Sequence, residues 1–217
     1  MDEIIRNIAV YALPVLFAIT LHEAAHAYAA RHFGDNTAYA QGRMTLNPLV
    51  HVDLFGTIII PIALYAMSGF VFGYAKPVPV QFGNLRNPKR DMAWVALAGP
   101  LANLAMAVMW VIFSALLVAF DVSEKFPHAV ARAGVVTNLL IFAFNLFPLP
   151  PLDGGRVLTS MLPNRLAFKF AKIEPYGFFV LLALLYFGVL SFWVQPMMWF
   201  GAQLVELVAL PFTFLLS

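Results

Sequence analysis

The sequence predicts an all-α polytopic membrane protein. Three observations carry this reading: 62% of the 217 residues are hydrophobic, only 11% are charged, and apolar stretches of roughly 20 residues recur along the chain. The mean hydropathy of +0.82 agrees. A globular chain is about half apolar and about a quarter charged, whereas a nearly uncharged run of about 20 residues is what a bilayer-spanning helix requires. The runs continue to the C-terminus, so a cleavable signal peptide does not explain them.

The first apolar span covers about residues 4–30 and is broken near its end by His22, Glu23 and His26. A polar stretch follows over 31–53. Residues 54–72 are apolar but interrupted by Gly56, Pro61 and Gly69. That pattern suits a re-entrant element better than a straight helix, provided protein covers the freed backbone groups. A loop bearing Pro, Lys and Arg occupies 73–91, and there is room for short β-strands near 38–52 and 75–82. Next come a long span over 92–120, a polar link over 121–132 and a fourth span over 133–147. The fourth span ends in Pro148-Leu149-Pro150-Pro151-Leu152-Asp153-Gly154-Gly155-Arg156, and a basic segment reaches Tyr176. Two last apolar stretches, 177–194 and 197–216, are divided at Gln195-Pro196. The expectation is five to six membrane segments in a single membrane-embedded domain over 1–217, with a core over about 15–165 and C-terminal segments over 177–216. No appended soluble domain is expected.

The net charge of +2 does not indicate nucleic acid as a partner, because the Lys and Arg are scattered in short loops rather than gathered in a stripe. They follow the positive-inside bias instead. If 54–72 dips in and returns, ten of the thirteen basic residues lie on the cytoplasmic face, leaving Arg6, Lys125 and Arg132 outside. With no cysteine, the chain has no thiolate ligand or nucleophile, and any metal must sit on His, Asp or Glu.

His22-Glu23-Ala24-Ala25-His26 is an HExxH motif on a helical segment. Positions i and i+4 share one helix face, so both imidazoles reach one ion. Imidazole and carboxylate suit zinc, and Glu23, one residue along, is placed to take a proton from water. A buried hydrogen-bond network is the plainer reading of such a pair. Three ionisable groups within five positions of a membrane span nevertheless need a functional reason. A catalytic zinc requires a third protein ligand. The candidates are Asp35, Asp53, Asp91, Asp121, Asp153, Glu174, Glu206 and the other histidines. Topology favours Asp153, since the fourth span returns it to the side where His22 and His26 lie. Prolines stiffen its approach and glycines follow it. Taken alone, an Asp before Gly-Gly reads better as a turn.

Together, HExxH on the first span and Asn145-Leu146-Phe147-Pro148-Leu149-Pro150-Pro151-Leu152-Asp153-Gly154 on a later one resemble the site-2 protease family of intramembrane zinc metalloproteases, peptidase family M50. Residues 42–51, 75–80, 85–88 and Ala98-Gly99-Pro100-Leu101-Ala102-Asn103 fit its short bacterial branch, which lacks PDZ and CBS regions. The resemblance implies His22, His26 and Asp153 as ligands of one zinc per chain and Glu23 as the general base. It also implies Asn103 and Asn145 at the substrate and oxyanion side, for which interhelical hydrogen bonding is an equal alternative. It further implies hydrolysis of peptide bonds in or near transmembrane segments of membrane-protein substrates, in a bacterial inner membrane, with the site toward the cytoplasm.

Ala18, Ala25 and Ala29 share the His22/His26 stripe and allow tight packing. His51 reads as a loop histidine, with a fourth-ligand or substrate-contact role as the alternative. Residues 76–81 read as an extended loop, or as an edge to which an unwound substrate adds. The rival readings are an inactive, partner-binding homologue and a zinc-dependent transporter. The first would have lost a ligand or the Glu, and the second normally shows paired repeats.

Overall fold

The computed structural model describes residues 2–60 and 76–216. Eight helices are described: α1 (Asp2–His32), α2 (Thr37–Ala40), α3 (Pro88–Ala119), α4 (Lys125–Asn145), α5 (Asp153–Met161), α6 (Asn164–Ala171), α7 (Glu174–Tyr186) and α8 (Ser191–Leu216). Short helical turns at Pro48–Val50, Leu54–Ile59 and Phe82–Asn84 punctuate the loops. Four helices, α1, α3, α4 and α8, are long and apolar enough to cross a membrane, while α7 is apolar but shorter. All-α membrane architecture is what the composition predicts.

No β-strand occurs among the described residues, which corrects the room left for strands near 38–52 and 75–82. The first stretch becomes α2 and a 3-10 turn because Asn47 caps the turn, its side chain accepting from the Leu49 N–H, with Pro48 at the first position. Residues 76–81 are extended yet unladdered, since Pro77 and Pro79 have no N–H to give a partner strand. Of the predicted re-entrant element, 54–60 forms a helical turn and the rest lies outside the described residues.

Boundaries shift where polar residues sit in helices. α4 begins at Lys125 rather than near residue 133, since Lys125, His128 and Arg132 occupy its outer turns. The break before α8 falls at Gly188 (φ +71°), not at Gln195-Pro196. The left-handed backbone there suits glycine, whereas a proline within a membrane helix is tolerated.

α1, α3 and α4 pack pairwise into a three-helix core, α5 closes against α3, and α8 covers α3 and α4. Small residues permit the close approach: Ala18, Ala24, Ala27 and Ala30 of α1 are fully or almost fully buried. Of the stripe expected beside the histidines, Ala18 is buried and Ala25 and Ala29 are half-buried. The core is polar at its centre, where His22, His26, Asn103, Asn138 and Asp153 are all buried.

Candidate metal centre

His22 and His26 stand one turn apart on α1 with their rings edge to face, centroids 4.6 Å apart. Their Nε2 atoms are 3.0 Å from each other. Asp153 Oδ2 lies 3.1 Å from Nε2 of His22 and 3.3 Å from Nε2 of His26. The three donors thus form a nearly equilateral triangle. A tetrahedral zinc with ligands at about 2.0–2.1 Å holds its donors roughly 3.3 Å apart, so the triangle fits that ion. These three residues form a cluster able to hold a metal among the described residues.

The far side of each ring is pinned. His26 Nδ1 donates to the Val95 carbonyl at 2.7 Å, and His22 Nδ1 donates to Asn103 Oδ1 at 2.6 Å. With Nδ1 carrying the proton, each Nε2 turns a lone pair toward the centre. Fixing the tautomer from behind is the usual support for a metal-binding imidazole. Asp153 Oδ2 is buried with no hydrogen-bond partner. Burial works to raise the Asp153 carboxyl, and only positive charge at the imidazoles of His26 and His22 would hold it well below the usual carboxylate range. The trio is built to enclose positive charge.

Helix α3 makes the space. Val95, Gly99 and Asn103 recur every four residues and so share one face toward α1. Val95 and Asn103 hold the two rings. A Cβ on Gly99 would come within 2.4 Å of His26 Nε2 and 2.6 Å of His22 Cε1. The backbone therefore reaches the metal-facing nitrogens only because residue 99 has no side chain.

Asp153 enters at the first position of α5 after the proline-rich turn. A Cβ at Gly154 would strike Leu146 O at 2.2 Å, and one at Gly155 would strike Pro150 N at 2.2 Å. The approach loop thus folds onto the first turn of α5, and the Gly-Gly pair keeps Asp153 aimed into the core.

Glu23 is half-buried beside the triangle, with Oε2 accepting the Val78 N–H at 2.7 Å. This fastens residues 76–81 to the site. The Lys76 N–H donates to His51 O at 2.9 Å, Arg43 Nη2 donates to Lys76 O at 2.9 Å, and the Gln81 N–H donates to Asp35 Oδ2 at 2.8 Å. Burial of Asp35 works to raise its carboxyl. The Thr37 hydroxyl, the Gln81 N–H, the Asn84 amide and the Thr37 N–H hold it below its ordinary value.

The structure thus brings His22, His26 and Asp153 together, with Glu23 alongside. Asn103 is buried next to them, but its amide is spent. Oδ1 accepts from His22, and Nδ2 donates to Ala18 O at 3.1 Å and to Asn138 Oδ1 at 3.0 Å. In this arrangement both amide hydrogens of Asn103 serve interhelical hydrogen bonds, the alternative that stood equal to the oxyanion role implied by the family resemblance. Asn145 ends α4, and its amide donates to Ile141 O at 3.0 Å rather than to the cluster. His51 is buried outside the cluster, with Nε2 on Thr45 O at 3.0 Å. Sequence reasoning missed Asn138, whose Oδ1 orients Asn103 and whose Nδ2 donates to Gly134 O. A lone amide in the middle of an apolar span was its signal.

Comparison with known proteins decides the family. Bacillus subtilis YwhC, provisionally named a zinc metalloprotease, is 37% identical over 191 residues, covering 86% of this chain and 84% of its own length. The chain belongs to peptidase family M50. The family profile itself matches residues 122–188, the stretch that contains Asp153. Rip2 of Mycolicibacterium smegmatis, under a similar provisional name, is 29% identical over 85% of this chain and 70% of its own. Rip2 of Mycobacterium tuberculosis H37Rv is 31% identical over 82% of this chain and 67% of its own. No solved structure matches the chain. Membership in M50 agrees with the family that the motifs resemble.

Proposed function

We propose that this M50 member is an intramembrane zinc metalloendopeptidase that cleaves peptide bonds within or near transmembrane segments of other membrane proteins. The observation that carries the reading is the convergence of two imidazole nitrogens and one unpartnered carboxylate oxygen, with Glu23 beside them, among membrane-length helices.

His22, His26 and Asp153 would hold the ion. When bound, zinc supplies a Lewis acid that polarises the scissile carbonyl and lowers the pKa of water toward 7. Glu23 moves the proton: its Oε2 is held by the Val78 N–H, and its Oε1 has no partner among the described residues. Oε1 takes the proton of the attacking water and passes it to the leaving nitrogen. Val95 and Asn103 keep the two imidazoles in register while this happens. Asn145 is the remaining candidate for contact with substrate.

A transmembrane substrate hides its carbonyls in helical hydrogen bonds and must unwind before attack. Residues 76–81 offer a place for the unwound strand. The Val78 C=O and both backbone groups of Val80 find no partner among the described residues, and the Val78 N–H is the group that holds Glu23. Pro77 and Pro79 deprive the alternate positions of donors, so pairing is confined to one edge. Binding through backbone groups demands little of the substrate sequence. If 54–72 dips in and returns, ten of the thirteen basic residues lie on one face, which supports a bacterial inner membrane with the site toward the cytoplasm.

The test is cleavage of a transmembrane peptide in proteoliposomes, run together with zinc analysis. Glu23→Gln should keep about one zinc per chain and lose cleavage by about 10²–10⁴-fold. Asp153→Ala should lose the metal and the activity together. Retained cleavage in Glu23→Gln would remove the role given to that residue. Metal-free wild type, with zinc supplied throughout purification, would favour a partner-binding homologue.

A further inference from the structure

The stretch joining α5 to α7 carries a surface that the proposed reaction does not use. Helix α6 is eight residues long. Arg165, Lys169 and the following Lys172 stand at i, i+4 and i+7, on one face. All three are exposed, and none has an acidic partner among the described residues. The neighbouring Glu174 lies against Arg156 instead, at 3.6 Å. Leu166 and Phe168, 51% and 66% exposed, flank the basic stripe. The Lys172 ammonium lies 4.7 Å from the centre of the Phe168 ring, so charge and apolar surface form one patch.

The level of this patch follows from α3. Lys89, in the first turn of that membrane-length helix, donates from Nζ to Leu162 O and to Asn164 Oδ1. Helix α6 therefore begins where α3 enters the apolar layer. A bilayer surface of anionic phospholipid presents negative headgroups directly above acyl chains, and so satisfies the cations and the exposed Leu and Phe together. Zwitterionic lipid answers only the apolar part, and a soluble anion only the charge.

We propose that α6 lies in the headgroup layer and docks anionic phospholipid through Arg165, Lys169 and Lys172, with Leu166 and Phe168 entering the apolar region. The chain has no cysteine, so Leu166→Cys on the full-length protein takes a single environment-sensitive fluorophore. The labelled protein is reconstituted into vesicles of phosphatidylcholine alone or of phosphatidylcholine with phosphatidylglycerol. The expected result is blue-shifted emission and quenching by brominated acyl chains, both stronger with phosphatidylglycerol and weakened by salt. Each of Arg165→Ala, Lys169→Ala and Lys172→Ala should lower the docked-to-undocked ratio by about fivefold, while Lys169→Arg retains it. Equal emission and quenching in the two vesicle types overturns the proposal. So does displacement of the probe by inorganic phosphate at matched ionic strength, which would make the patch a soluble-anion site. The vesicle comparison uses one labelled protein, so it stands even where a variant folds poorly.

Discussion

A methyl group on residue 99 would meet both imidazoles at 2.4–2.6 Å, nearer than unbonded atoms approach. The rings cannot retreat without giving up their bonds to Val95 O and Asn103 Oδ1. Gly99→Ala is therefore expected to abolish zinc retention in detergent-purified protein and to cost about 1–3 kcal/mol by overpacking. Zinc near one per chain in that variant would mean that α3 yields instead. Asn103 permits a finer division. A group that acts by orienting His22 should, on replacement by Ala, weaken zinc affinity about 10–100-fold, as read by competition with a fluorescent chelator. A group donating to an oxyanion would instead lower kcat at saturating zinc and leave the affinity unchanged. The sequence marks Asn103 as a polar residue on a membrane span. It does not reveal the task, because the amide's direction depends on Ala18 O and on Asn138, which lie on two other helices.

Among the elements, residues 76–81 show how a segment without regular structure is held in place. Its anchors are Glu23, Arg43, the backbone of His51, and Asp35. Asp35 is the most connected: it is fully buried and accepts from Thr37, Gln81 and Asn84. It thereby fastens the chain just beyond α1 to the segment that reaches Glu23. Its carboxyl is held below the ordinary value, so the folded state binds the proton less readily than the unfolded chain. The stabilisation is therefore complete above the unfolded carboxylate pKa of about 3.9 and is lost as pH falls through the lower folded value. Asp35→Asn should melt at a lower temperature than wild type near neutral pH, with the gap closing only in acid. Thermal unfolding in detergent across pH checks this, and a gap that widened in acid would contradict it. The long helices were legible because composition alone separates apolar spans from polar links. This segment was not, because its anchors come from residues 23, 35, 43 and 51, and no local pattern records which N–H each one accepts or which carbonyl it holds.

For the molecule as a whole, the two histidines and Asp153 make the same point about distance. His22 and His26 were readable as a pair because one helical turn joins them. Asp153 stood among many acidic candidates. It becomes distinct only when α4 returns the chain and the proline loop folds onto Gly154 and Gly155. The site thus exists only when α1, α3 and α5 are assembled, and an ion that binds there binds the folded state and not the unfolded chain. Zinc at a hundredfold excess over its dissociation constant should then stabilise the fold by about 2.7 kcal/mol. Chelation should lower the melting temperature of the purified protein, and added zinc should restore it. Glu23→Gln should respond as wild type does, since it keeps all three ligands, whereas Asp153→Ala should be nearly indifferent to both treatments. If wild type were also indifferent, the three polar groups would be neutralised by a proton rather than a metal ion. The triangle would then be a hydrogen-bonded core, and the reading of the chain as a metalloprotease would lose its structural basis.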